Sequence, residues 1–175
     1  MKIALVVGHN ERSQGAYNSY VHKSEYEYYR EIAKNLKNTL GNKIDIYIRK
    51  HNKTYGAEMR EVLNRLNSMD YDYVLELHFN SASNVNVQGT ECLAFHNSKI
   101  GLELANKFNE LISKTMNIKN RGIIKITNSN QRGGYGICKA KQPYVLIEPF
   151  FCTNEKAKEF TIDKMTSLIL KFITE

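Results

Sequence analysis

Cysteine is scarce in this sequence, which excludes two kinds of cysteine-based site. The three cysteines, Cys92, Cys138 and Cys152, are odd in number and lie far apart along the chain. Neither a disulfide framework nor a Cys-x-x-Cys metal site can therefore be built from sequence neighbours. We expect all three to be reduced, buried thiols.

Long apolar runs are absent as well. No apolar stretch approaches the roughly 20 residues needed to span a bilayer, so we expect no membrane insertion. The N-terminal run MKIALVVGHN is too short for a secretory apolar region and has no small-residue cleavage site. It predicts a first strand rather than a signal peptide. We expect a soluble chain that is synthesised in the cytoplasm.

The length of the chain and the lack of repeats predict one domain. With 175 residues, of which 42% are hydrophobic, the chain can bury one core but hardly two. No linker and no internal repeat divides the sequence. We therefore expect a single domain over residues 1–175.

Positive charge exceeds negative charge in this chain. Lys and Arg number 25 against 18 Asp and Glu, which gives a net charge of +7. Such a charge favours binding to nucleic acid, an anionic lipid surface or an anionic cell wall, and it is also compatible with solubility alone. The basic residues are scattered rather than gathered into one stripe, which argues against a nucleic-acid-binding domain.

Apolar periodicity predicts strands and helices in alternation. The predicted strands are 2–7, 44–48, 73–79, 89–95 and 144–148. The predicted helices are 24–41, a second around 59–66, a third around 100–112 and a closing helix after Asn154. The alternation predicts an α/β fold, with a mostly parallel twisted sheet of about five to six strands and helices on both faces.

Two segments carry more local information. Ser24 followed by Glu27 fits a capping box at the start of the first helix, and Gly41 fits the end of that helix. The stretch 119–142 is less regular. It contains a glycine cluster at positions 133, 134 and 136 that indicates a loop, because no helical pattern follows it at once.

Three of the predicted strands end in a residue that can bind a metal or move a proton. His9 follows the first strand, His78 ends the third, and Glu148 ends the last. In open α/β sheets, ligands bind in the crevice outside the carboxyl ends of the strands, where these side chains would converge. One histidine alone is more often structural than a ligand, but the three residues together predict a metal hydrolase site.

A catalytic zinc site needs three protein ligands and an open fourth position. With His9 and His78 as two of them, the first turn of the first helix supplies the missing carboxylate. Glu27 is the capping-box partner of Ser24, which leaves Glu25 as the preferred ligand. Glu27 remains the competing candidate.

Other polar residues near these strands have weaker signals. Asn80 lies two residues beyond His78 and points the same way if the strand continues, so we expect it to contact the substrate. Glu76 is either a partner on the opposite face of the strand or a hydrogen-bond partner of the metal ligands. The remaining histidines share no credible face with a carboxylate or a second histidine, and we assign them no role: His22, His51 and His96.

These residues lie within a series of motifs that resembles the zinc-dependent N-acetylmuramoyl-L-alanine amidases of the amidase 3 family. The motifs are VGHN followed by Gly15 and Ala16, Glu25 in the first helix, LHFNS at 77–81, GTE at 89–91, NRG at 120–122 and PYVLIEPFFCTN at 143–154. They cover almost the whole chain in the order of the family. The resemblance is strongest to catalytic domains of phage endolysins, which carry a similar stretch to SEYEYY around the metal-binding Glu.

The resemblance implies a reaction and a set of roles. His9, Glu25 and His78 would bind one zinc ion, and Glu148 would be the catalytic acid and base. The enzyme would hydrolyse the amide bond between N-acetylmuramic acid and L-alanine in peptidoglycan, as a phage or prophage endolysin in host lysis. Pro149 and Lys139 depart from the residues that many members carry, and we carry over no substrate contact in 132–142.

The same resemblance sets the expected biology. We expect a monomer without a separate cell-wall-binding domain that acts on the bacterial wall after its release from the cytoplasm. Its positive charge would attract anionic wall polymers. One alternative is a zinc peptidase or deacetylase acting on another cell-wall amide, which would share the metal site. The other is a basic nucleic-acid-binding domain, which predicts no dependence on zinc.

Overall fold

The computed structural model describes residues 1–175 as one α/β domain with eight strands and five α-helices. The strands are β1 (Ile3–Val7), β2 (Tyr17–Asn18), β3 (Lys23–Ser24), β4 (Ile44–Ile48), β5 (Tyr73–Leu77), β6 (Thr90–Phe95), β7 (Asn120–Ile126) and β8 (Tyr144–Glu148). The helices are α1 (Glu25–Leu40), α2 (Tyr55–Leu66), α3 (Lys99–Met116), α4 (Gly134–Lys139) and α5 (Ile162–Thr174).

Six strands form one sheet in the order β4-β1-β5-β8-β6-β7. All neighbours in this sheet pair in parallel, except β6 and β8, which are antiparallel. The strands β2 and β3 form a separate two-stranded sheet. The predicted mostly parallel sheet is therefore confirmed, and the connecting helices account for it because parallel neighbours need a long crossover.

Helices cover both faces of the sheet, as the sequence predicts. α1, α3 and α5 pack on one face around a core of 32 buried residues, and α2 and α4 pack on the other around a core of 12. Strand β1 is buried at every position, which explains its continuous apolar sequence IALVV. None of the helices combines the length and the apolar character needed to cross a membrane.

The start of α1 is fixed by the predicted capping box. The Ser24 hydroxyl accepts a hydrogen bond from the backbone N–H of Glu27 at 3.2 Å, and the Glu27 carboxylate accepts one from the backbone N–H of Ser24 at 2.9 Å. One turn later, the hydroxyl of Tyr29 donates to the backbone oxygen of His78 at 2.6 Å. These bonds hold the first turn of α1, and with it Glu25, beside the end of β5.

Two predictions about irregular segments are wrong. The less regular stretch 119–142 contains the strand β7, and the glycine cluster at 133, 134 and 136 begins the helix α4 in place of the expected loop. β7 is an exposed edge strand and α4 has only six residues, so neither shows a periodic apolar pattern. Asn154 caps a short 3₁₀ helix, Glu155–Glu159, whereas the closing helix begins later and is capped by Thr161.

The thiols are free, as expected. Cys92 and Cys152 are buried, whereas Cys138 is only half-buried on α4. The prediction that all three are buried is therefore wrong for Cys138, because the short helix that carries it lies at the surface of the smaller core.

Candidate metal centre

The carboxyl edge of the sheet brings the predicted site residues together. His9 lies two residues beyond β1, His78 follows β5 directly, and Glu148 is the last residue of β8. Glu25 is the first residue of α1, which the capping box holds at the same edge. The four side chains line one cavity of about 400 Å³.

Three of these side chains point their ligand atoms at one another. One atom from each of His9, Glu25 and His78 lies within 4.8 Å of the other two. The Glu25 carboxylate lies between the imidazoles, with Oε1 at 2.7 Å from His78 Nδ1 and Oε2 at 3.4 Å from His9 Nε2. Two imidazoles and a carboxylate are a donor set that catalytic zinc uses.

Each histidine is oriented by a partner on its other ring nitrogen. His9 Nδ1 lies 3.1 Å from the backbone oxygen of Ser13, and His78 Nε2 lies 3.2 Å from Glu76 Oε1. Tyr144 in turn donates its hydroxyl proton to Glu76 Oε2 at 2.8 Å. Protons on these outer nitrogens leave His9 Nε2 and His78 Nδ1 as the metal-facing atoms, an arrangement typical of metal-binding histidines. Glu76 therefore contacts His78 at hydrogen-bond distance, which favours the second of the two interpretations left open for it.

The electrostatics of the cluster favour a cation. Burial alone raises the pKa of Glu25, but hydrogen bonds from His78 and His9 outweigh it and lower the pKa to about 2. Burial alone lowers the pKa of His78, but Glu25 and Glu76 outweigh it and raise the pKa to about 10. Two carboxylates around one imidazole thus hold a positive charge tightly, and a divalent cation between Glu25 and His78 would take the place of that proton.

Two glycines leave room for the side chains of His9, Glu25 and His78. A Cβ atom on Gly8 would lie 2.2 Å from Cε1 of the His78 ring. Gly15 has a φ of +77°, and a Cβ atom there would lie 2.7 Å from both Glu25 Oε2 and His9 Nε2. Both positions therefore exclude larger residues, and Gly15 also needs the left-handed backbone conformation that glycine adopts at little cost. The residues present fit a bound metal ion.

Glu148 faces the same cavity with different electrostatics. Its side chain is buried, and burial raises the pKa of Glu148 from 4.5 to about 7, although the positive charges of Arg132 and His78 oppose the rise. A carboxyl group with a pKa near neutrality can both accept and return a proton, which is what a general base and acid needs. The pKa of Glu25 is therefore lowered and that of Glu148 is raised, although both carboxyl groups face one cavity.

Arg132 is a site residue that sequence reasoning missed. Its guanidinium donates from Nη2 to Glu148 Oε2 at 3.2 Å and to Glu91 Oε1 at 3.1 Å. It also donates from Nη1 to Asn80 Oδ1 at 3.2 Å. The glycine that follows it, Gly133, has a φ of +66°, and a Cβ atom there would lie 2.7 Å from Leu146 Cδ1, so glycine lets this segment lie close to the sheet.

Asn80 lies in the cavity, but its amide is occupied by protein groups. Its Nδ2 donates to Glu91 Oε1 at 2.8 Å, and its Oδ1 accepts from Arg132. Strand β5 ends before Asn80, which forms an isolated parallel bridge with Phe151 instead. In these contacts the side chain positions Glu91 and Arg132, and a contact with substrate stays a prediction.

The other histidines lie outside the cluster. His51 contacts Arg12, with Nε2 at 2.6 Å from Nη1, and His96 packs its ring against Phe95. His22 adopts a positive φ of 53° in the turn between β2 and β3. None of the three belongs to the metal-capable group.

Comparison with known proteins gives one family. The family model described as N-acetylmuramoyl-L-alanine amidase, Amidase_3, matches residues 3–173. Among solved structures, the catalytic domain of the CD27L endolysin targeting Clostridia difficile is 31% identical, with a TM-score of 0.79, and the match covers 99% of this chain and 96% of that one. No curated protein matches the sequence.

More distant structures share the fold. An N-acetylmuramoyl-L-alanine amidase from Clostridium difficile 630 is 20% identical with a TM-score of 0.75, over 98% of this chain and 94% of that one. The catalytic domain of the amidase CwlV from Bacillus (Paenibacillus) polymyxa var. colistinus is 19% identical with a TM-score of 0.72, over 99% and 97% of the two chains. At these identities the likeness concerns the fold alone.

Proposed function

Since the chain belongs to the amidase 3 family of N-acetylmuramoyl-L-alanine amidases, we propose that it hydrolyses the amide bond between N-acetylmuramic acid and L-alanine. The reaction uses one zinc ion held by His9, Glu25 and His78. The chain is an enzyme of the N-acetylmuramoyl-L-alanine amidase type, and its substrate is peptidoglycan. The observation that carries the proposal is the convergence of two imidazoles on one carboxylate. Three protein ligands with a fourth position left for water are typical of catalytic zinc.

Glu148 is the proton carrier in this proposal. A zinc ion, when bound, supplies a Lewis acid for the scissile carbonyl and lowers the pKa of a water molecule to about 7. Glu148 accepts a proton from the attacking water while the water oxygen bonds to the lactyl carbonyl carbon. Glu148 then returns that proton to the amide nitrogen while the C–N bond breaks. The second proton of the water passes from the new carboxyl group to the amine, so the products are a lactyl carboxylate on the sugar and the ammonium group of L-alanine.

Arg132 and Glu76 position two of these side chains, Glu148 and His78 respectively. Arg132 limits the rise in the pKa of Glu148 that burial causes, and its bonds to Glu91 and Glu148 fix the position of the catalytic carboxylate. Glu76 accepts the proton of His78 Nε2 in a hydrogen bond and so fixes the tautomer of His78. Neither residue takes part in the transfer of the proton.

Metal analysis combined with wall digestion tests the assignment. We expect the wild type to hold one zinc ion per chain and to solubilise purified walls. His78→Ala should lose both the zinc and the activity, whereas Glu148→Gln should keep the zinc and lose turnover. A fully active Glu148→Gln variant would remove Glu148 from the mechanism, and a His78→Ala variant that keeps its zinc would remove His78 from the ligand set.

We also propose that the enzyme serves as an endolysin that acts on the wall after release from the cytoplasm. Similarity to the CD27L endolysin catalytic domain at 31% identity supports this role. The net charge of +7 supports attraction to anionic wall polymers. Lysis of whole cells should therefore fall sharply with added salt, whereas cleavage of a small soluble substrate should not. Equal salt sensitivity of the two reactions would contradict the role of charge.

A further inference from the structure

Arg49 lies in one row with Gly8 and His78 at the carboxyl edge of the sheet. Val7 pairs with Ile48 on one side and with Leu77 on the other, and Gly8, Arg49 and His78 directly follow these three paired residues. Adjacent strands lie about 4.8 Å apart, so the backbones of Arg49 and His78 are roughly 10 Å apart. Gly8 between them has no side chain, and the His78 ring occupies the space above it.

The guanidinium of Arg49 is buried and poorly paired. Its side chain is only 4% exposed, and Nε has no hydrogen-bond partner. The nearest carboxylate oxygen, Oε2 of Glu58, lies 3.6 Å from Nη1, which is beyond the usual hydrogen-bond length. The aromatic ring of Tyr55 covers the group, with its centroid 4.9 Å from Cζ. A buried charge with unmet donors is costly unless a ligand satisfies it.

The Arg49 side chain lines the cavity that also contains His9, Glu25, His78 and Glu148. Arginine carries five N–H donors and no acceptor, in a planar fork that matches a carboxylate. Neutral sugar hydroxyls would leave the charge unpaired. The buried carboxylates that share its surroundings, those of Glu58 and Glu76, disfavour a doubly charged phosphate there.

We infer that Arg49 is a subsite for the α-carboxylate of the second residue of the stem peptide, an inference that rests on the proposed function. The distances agree with this. Each extended residue spans at most 3.3–3.6 Å, so that carboxylate lies roughly 7 Å from the scissile nitrogen. Because Arg49 lines the same cavity as His9, Glu25 and His78, a peptide whose first amide bond lies at these three side chains reaches Arg49 through that cavity. The subsite makes the enzyme selective for stem peptides with a free carboxylate at this position.

A pair of soluble substrates tests this selectivity. One is N-acetylmuramoyl-L-alanyl-D-glutamate and the other is its α-carboxamide, both with the γ-carboxylate blocked as a methylamide. We expect the wild type to prefer the free carboxylate by about tenfold to a hundredfold in kcat/KM, mainly through KM, as for a hydrogen bond to a charged group. Arg49→Gln should bring the ratio close to one, and Arg49→Lys should leave it intermediate because Lys lacks the planar fork.

Controls separate recognition from folding. Arg60→Gln removes an exposed arginine of α2 and should leave the preference unchanged. Arg49→Gln alone leaves the buried Glu58 carboxylate without its positively charged partner. The double variant Arg49→Gln/Glu58→Gln therefore removes both charges together. A purely structural Arg49 would lower the turnover of both substrates equally and leave their ratio unchanged, which would overturn the inference.

Binding of the peptide product gives a readout that does not depend on turnover. Calorimetry with L-alanyl-D-glutamate and its α-carboxamide, again with the γ-carboxylate blocked, should show tighter binding of the free carboxylate to the wild type and equal binding of both to Arg49→Gln. Equal binding of both peptides to the wild type would overturn the subsite. Carboxylate-dependent binding without any cleavage of the muramoyl amide would support the subsite and overturn the proposed function alone.

Discussion

Replacing Glu148 with glutamine should stabilise the protein in the presence of a metal chelator near neutral pH. The pKa of Glu148 rises from 4.5 to about 7 because burial disfavours its charged form. This rise corresponds to about 3 kcal/mol, at about 1.4 kcal/mol for each pKa unit. Glutamine keeps the size and the polar character of the side chain but removes the charge. The buried Glu148 carboxylate therefore lowers the free energy of unfolding of the protein.

The sign of the effect fixes its pH range. The folded state binds the proton of Glu148 more tightly than the unfolded state, so stability falls as pH rises from 4.5 to about 7. Below this range the carboxyl is protonated in both states, and the substitution should have little effect. Above it, the gain from Glu148→Gln should reach its full value of about 3 kcal/mol.

Urea unfolding at several pH values, with chelator present, measures this gain. The difference between Glu148→Gln and the wild type should grow across the range and then stay constant. Glu103→Gln on the exposed side of α3 controls for the loss of a carboxylate. A Glu148→Gln variant that is no more stable than the wild type above neutral pH, or whose gain does not change with pH, would refute the reasoning.

Three further substitutions test the surroundings of the site. Glu76→Gln removes the carboxylate that orients His78, and zinc affinity should fall about tenfold to a hundredfold in a competition titration; an unchanged affinity would contradict the orienting role. Gly15→Ala places a methyl group 2.7 Å from two ligand atoms at a φ of +77°, so the same titration should show weaker zinc binding, and normal binding would show that the loop can move away. Arg132→Ala removes a positive charge that lowers the pKa of Glu148, so the acid limb of the kcat/KM profile should move to higher pH. An acid limb that stays in place or moves to lower pH would contradict this coupling.

Much of the site could be predicted from the sequence because it follows from strand direction. His9, His78 and Glu148 each follow or end a parallel strand, and the carboxyl ends of such strands share one edge. The choice of Glu25 over Glu27 depended on a local rule. Glu27 is engaged by the capping box, and Glu25 contacts both histidines.

The remaining site residues depend on packing that no local pattern carries. Arg132 comes from a segment whose strand is mostly exposed and whose helix has only six residues. Gly133, at a φ of +66°, lets that segment lie close to the sheet, beside Leu146. Arg49 follows the edge strand β4, and its guanidinium packs against the ring of Tyr55 from the following helix. Contacts of this kind are set by the whole domain, so periodicity and spacing cannot predict them.

The chemical identity of the bond cut tests the central claim most directly. Purified peptidoglycan digested with the wild-type protein should release new amino termini that are L-alanine, in step with the loss of turbidity. Glu148→Gln and His78→Ala should release none. New amines elsewhere in the stem peptide or on the sugars, without new L-alanine termini, would contradict the account and identify a peptidase or a deacetylase built on the same metal site.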